Sequence, residues 1–104
     1  MRAWTGRKRR SGGYRTGRRF EQRVRTDLEL RGWMVIRSAG SKGPADLVAL
    51  RAGRRPLVVA CSVGGVRPAA RRALLEAARR AGARPVVARR ARGRRGQIVI
   101  EVVA

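Results

Sequence analysis

The sequence contains no histidine and a single cysteine, Cys61. The first absence excludes the usual zinc sites, and with them serine-histidine and cysteine-histidine catalysis. The second excludes an internal disulfide. No apolar run approaches the roughly 18 residues needed to span a bilayer. The basic segments also lack the broad apolar face of an interfacial helix, so no membrane partner is expected. The run MRAWTGRKRRSGGYRTGRR has no apolar core, so a secretory signal is not expected and the cytoplasm is the expected location. Acids are scarce too: six stand against 27 basic residues, for a net charge of +21 in 104 residues. Only Lys8 and Lys42 are lysine. With abundant Ala, Gly and Val, that looks like a GC-rich coding bias, which explains arginine in place of lysine but not the missing acids. Self-repulsion at this charge opposes compaction unless a polyanion screens it, so nucleic acid is the expected partner. Any chemistry must use carboxylates, a hard metal such as Mg²⁺, and Lys or Arg.

What is present fits one domain with a modest core. Residues 1–16 are basic, glycine-containing and aperiodic, with Trp4 and Tyr14 among the arginines, and read as a flexible arm that either folds against phosphates or stays a disordered tail held near nucleic acid by charge alone. From Gly17 to Arg31, Phe20, Val24 and Leu28 recur at helical spacing, and Gly32 supplies a C-terminal stop. WMVIRS (33–38), DLVAL (46–50) and PLVVACS (56–62) read as strands, and the short link RAGRR favours an antiparallel hairpin between the second and third. Pro68 opens a second helix whose apolar positions are Ala70, Leu74, Ala77, Ala78 and Ala81, with Gly82 as its stop. ARPVVARR and GQIVIEVV are two final strands joined by the basic loop ARGRR. The expected order is therefore α-β-β-β-α-β-β. The helix between the third and fourth strands suits a parallel crossover.

Each acid can be considered singly. Asp27, Glu29, Glu76 and Glu101 lie near arginines or on ordinary helix and strand surfaces. Glu21 and Asp46 differ. At about 100° per residue Glu21 lies about 20° from Leu28, on the border of the buried stripe, and Asp46 opens an apolar strand. A carboxylate in such a place needs a cation, either arginine or a metal. Two carboxylates from different elements, with a backbone carbonyl, form an oxygen-rich site of the kind Mg²⁺ prefers.

The run from Glu21 through LELRGWMVIRSAGSKGPADLVAL to LVVACS resembles the catalytic core of archaeal-type Holliday-junction resolvases and their phage and bacterial relatives, in the PD-(D/E)xK nuclease superfamily. Its most distinctive part is RSAGS followed by ADLVA, and the likeness covers about residues 17–103. It implies an α/β fold, a single restriction-endonuclease-like domain over residues 17–104 with a mixed central sheet flanked by helices. It makes Glu21 the helix-borne acid and Asp46 the metal-binding aspartate, with the backbone carbonyl of Cys61 as a further ligand for Mg²⁺. Arg37 and Ser41 match positions used near the scissile phosphate. Arg18, Arg19, Arg37, Ser41, Lys42 and Arg67 are the assigned DNA contacts. A four-way DNA junction is the implied partner, and its two equivalent strands call for a homodimer.

The family pattern then needs an acid or Gln, one intervening residue, and Lys on the third strand. Alternation groups Val58, Ala60 and Ser62 on one face and Leu57, Val59 and Cys61 on the other. Assigning the pattern to Ala60 and Ser62 leaves neither group present, and the Cys61 thiol, without a histidine to activate it, reads as inert. The expected function is a DNA-binding protein with this nuclease fold and impaired or lost cleavage. The alternatives are an active Mg²⁺-dependent junction endonuclease with a relocated cation, and a structural basic protein that coats nucleic acid.

Overall fold

The computed structural model describes residues 3–38, 43–91 and 97–104, with side chains from Gly17 onward. Helix α1 (Ala3–Leu30) is followed by β1 (Met34–Arg37), β2 (Leu47–Leu50), β3 (Leu57–Cys61), α2 (Pro68–Ala81), β4 (Arg84–Arg90) and β5 (Ile98–Val102). This is the order expected from the sequence. The strands form one sheet in the order β1-β2-β3-β4-β5. Pairing is antiparallel throughout except between β3 and β4, which are parallel and joined through α2.

The first helix extends farther toward the N-terminus than its apolar stripe, which begins at Phe20. The added turns cover most of the segment expected as a flexible arm; they contain no proline and many arginines, good helix formers, alongside four glycines that oppose the helix. Its other end behaves as the glycine predicts. Gly32 has φ +95, and Gly32 and Trp33 donate to Glu29 and Leu28 carbonyls at 3.0 and 3.1 Å, closing the last turn. Helix α2 closes the same way at Gly82, φ 65, with Ala83 N–H donating to the Ala78 carbonyl. Of its expected apolar positions, Leu74 and Ala78 are buried.

Two cores lie on opposite faces of the sheet. Phe20, Val24 and Leu28 of α1 pack on Val35, Leu47, Ala49, Leu57, Val59, Val86 and Ala88. Leu74 of α2 packs with Ala60, Val87 and Val103, and partly buried Val58 joins them. The register explains the division. Leu47 faces Val59 across β2 and β3, and Val59 faces Val86 across β3 and β4, so these three stand under α1. Ala60 faces Val87, and both stand under α2.

Candidate active site

The site forms where the middle of α1 passes over the ends of β1, β2 and β3. Glu21 borders the buried stripe of α1, and Arg37 ends β1 with its side chain turned toward the same helix. Arg37 Nε donates to Glu21 Oε1 at 2.7 Å, and the two side chains are 36% and 16% exposed. An ion pair this sheltered is screened less than the other arginine-carboxylate pairs, whose partners are more open to water.

Asp46 lies just before β2 and is tied into the sheet on both sides. Its N–H donates to the Val59 carbonyl at 2.8 Å, and its own carbonyl accepts from Ser38 N–H at 2.9 Å. Its carboxylate turns across to β3, where Oδ2 accepts from the backbone N–H of Cys61 at 2.7 Å. Burial pushes the Asp46 carboxyl above its usual range. The Cys61 N–H opposes that shift, the Glu21 charge adds to it, and the Arg37 guanidinium partly offsets it. The Cys61 thiol is also pushed up, first by burial and then by the Asp46 and Glu21 charges. It stays protonated at neutral pH and supplies no thiolate.

The Asp46 shift has a testable sign. A carboxyl raised in the folded state binds its proton more tightly there than in the unfolded chain. The resulting stabilisation is complete below the unfolded value and is lost as pH rises through the folded one. In metal-free buffer, urea melts from pH 4 to 7 should show the native protein gaining stability relative to Asp46→Asn as pH falls. A constant difference across that range would contradict a raised Asp46.

The structure brings Glu21, Arg37, Asp46 and Cys61 together. The two third-strand positions assigned to the family's acid and lysine have different surroundings. Ala60 is buried under α2, and the Ser62 hydroxyl donates to the Gly65 carbonyl at 2.6 Å, within the turn that leaves β3. Val59 and Cys61 occupy the α1 side instead. Strand β3 is central and covered on both faces, so both of its faces are apolar. Among the assigned DNA contacts, Arg18 and Arg19 are exposed on α1, and Arg67 is the residue before α2, with no side-chain capping bond. Ser41 and Lys42 lie outside the described residues.

The donor set is poor for Mg²⁺. Glu21 is engaged by Arg37, and Asp46 by a backbone N–H. The nearby third-strand side chains are an aliphatic valine and a protonated thiol. Among the described residues no cluster of three or more His, Cys, Asp or Glu side chains could hold a metal ion. The residues present therefore do not fit the metal as the resemblance implies it.

The sequence matches the family model described as archaeal Holliday junction resolvase (Hjc) over residues 12–103. The chain belongs to the archaeal Holliday junction resolvase family. A solved structure of Archaeoglobus fulgidus Hjc, a Holliday junction resolvase from an archaeal hyperthermophile, is 26% identical, with a TM-score of 0.70 over 84% of this chain and 72% of that one. No curated protein matches the sequence. Resolvases of this family generally use a divalent metal, which makes the weak donor set here the feature to explain. Among the described residues, no helix is long and apolar enough to cross a membrane.

Proposed function

We propose that this resolvase-family protein binds branched DNA, with a four-way junction as its preferred form, and that its cleavage chemistry is impaired or lost. The observation that carries the reading is the pair Val59 and Cys61. The Val59 carbonyl and the Cys61 N–H are the two groups of β3 bonded to Asp46, and their side chains are on the carboxylate side of the sheet. They are spaced as the family's acid and lysine are spaced, so they stand for the missing pair more naturally than Ala60 and Ser62. The lost acid removes a metal ligand. The lost lysine removes the cation that orients water and offsets developing charge on the phosphate.

What remains suits binding. Glu21 holds Arg37 where the guanidinium can meet a phosphate, and Arg18, Arg19, Ser41, Lys42 and Arg67 extend the contact. The basic N-terminal turns of α1 add further charge on the same DNA. Two copies facing the two equivalent strands of a junction complete the arrangement, in the cytoplasm. Glu21, Asp46 and the Cys61 carbonyl are the remnant of the metal site.

Gel-shift titration of a fixed four-way junction against linear duplex of equal length tests the binding half. The junction should bind at least about 10-fold more tightly, and equal affinities would remove the structure-selective claim. Incubating labelled mobile and fixed junctions with Mg²⁺ or Mn²⁺ tests the chemistry. Metal-dependent nicks abolished by Asp46→Asn would favour an active enzyme with a relocated cation. Stronger binding to structured RNA than to junctions would favour the coating protein.

A further inference from the structure

A second cluster lies at the opposite end of the sheet from the candidate active site. Trp33, Gly53, Arg54, Arg55 and Arg84 line a cavity of about 220 Å³. Trp33 immediately precedes β1, whose far end carries Arg37, and four strand residues at about 3.3 Å each separate the two by roughly 13 Å. Gly53, Arg54 and Arg55 belong to the turn between β2 and β3, while Asp46 and Cys61 sit at the other ends of those strands. Arg84 opens β4 opposite Leu57.

Three guanidiniums around one small cavity repel one another unless an anion joins them, and no carboxylate of the described residues does so. Glu21, Asp27, Glu29, Glu76 and Glu101 are ion-paired with Arg37, Arg31, Arg25, Arg79 and Arg89. Asp46 is at the other end of the sheet. Arg55 is held in place by bonds from Nε to the Gly82 carbonyl at 3.5 Å and from its terminal nitrogen to the Ala83 carbonyl at 3.4 Å. Its charge is thereby fixed at the cavity wall rather than spread over solvent. The fourth wall is the indole of Trp33, half-buried against the core under α1. The sequence has only two tryptophans, and one of them completes this arginine cluster.

A planar aromatic beside fixed cations is the combination that holds one unit of a single strand. The phosphate meets the guanidiniums and the base stacks on the ring. The cavity is below the roughly 300 Å³ at which drug-sized pockets begin, so it seats part of a chain rather than engulfing a free molecule. We propose that Trp33, Arg54, Arg55 and Arg84 form a second nucleic-acid contact that takes one nucleotide of a single-stranded segment, separate from the candidate active site. Duplex DNA, with its bases stacked inward, cannot use the indole. Unpaired strand near a branch or a gap can.

The test uses the full chain carrying Trp4→Phe, so that Trp33 is the only fluorophore of its kind, titrated with a ten-nucleotide oligothymidylate. Saturable quenching is expected. Arg54→Gln with Arg84→Gln should weaken it at least 10-fold and reduce the salt slope by about 0.7, the value for one phosphate contact on a single strand. Circular dichroism and thermal melting check that the variants fold. Oligonucleotide binding that leaves Trp33 emission unchanged, or quenching that survives the double substitution, overturns the proposal. Full competition by millimolar inorganic phosphate would reduce it to an anion pocket without base contact, and so overturns it too. Junction binding by the unsubstituted chain is scored separately, and its loss would count against the proposed function rather than against this site.

Discussion

Val59→Glu combined with Cys61→Lys is expected to raise metal-dependent cleavage of a four-way junction at least about 100-fold over the parent chain. One preorganised group acting on developing charge is worth roughly 10²–10³ in rate, and the double exchange also supplies a third oxygen donor beside Asp46. The geometry is favourable because Asp46 already bonds to the backbone of both positions. The carboxylate at 59 enters a fully buried site, so it should destabilise the metal-free protein and be relieved by Mn²⁺, seen as a rise in melting temperature. Val59→Gln with Cys61→Lys is the less charged form and tests the same idea if the glutamate folds badly.

The same exchange one residue along separates the two registers. Ala60→Glu with Ser62→Lys is expected to give no cleavage. It should cost on the order of 3 kcal/mol, because the new carboxylate is buried among Leu74, Val87 and Val103 with no cation. Cleavage by this pair, or none from a folded and junction-binding 59/61 pair, would reject the assignment.

Junction affinity should fall about 10³-fold or more between 50 and 200 mM salt. A protein making about six to ten phosphate contacts releases that many counterions, and log affinity then declines with log salt at a slope near −0.9 per contact. With a charge of +21 and five of the six acids tied up in ion pairs, few carboxylates compete with DNA for the arginines. Linear duplex should show a similar slope but weaker binding at every salt concentration. The shared slope reports the common phosphate term, and the gap reports junction shape. Fluorescence anisotropy at five or more salt concentrations measures both. A slope shallower than about −2 would mean that most of the charge never meets the backbone.

The helices and the strand order were legible because their signals are local. Pro68 and Gly82 bracket α2, Gly32 stops α1, and the glycine-containing link between β2 and β3 forces a hairpin. Glu21, Arg37 and Asp46 could be placed together because each interrupts an apolar pattern or lies in the distinctive RSAGS and ADLVA segments. The facing of β3 was not legible. Val58, Val59 and Ala60 are all apolar, one sheltered by α1 and the others on the side of α2, and only pairing with Leu47 and Val86 decides which side chain stands under α1. The aromatic-arginine cavity at the far end was missed for a related reason. Trp33, Arg54 and Arg84 are dispersed along the chain, and in so basic a sequence no single arginine stands out.

The bond from the Cys61 amide to Asp46 has a further consequence. An aspartate that fastens the start of one strand to the end of its neighbour has structural work independent of any chemistry, and selection for folding alone can preserve it. The side chains at 59 and 61 can change without loosening that clasp, because the clasp uses their backbone. The most recognisable letter of a nuclease motif can thus be kept by architecture as well as by chemistry, and its presence alone does not report activity.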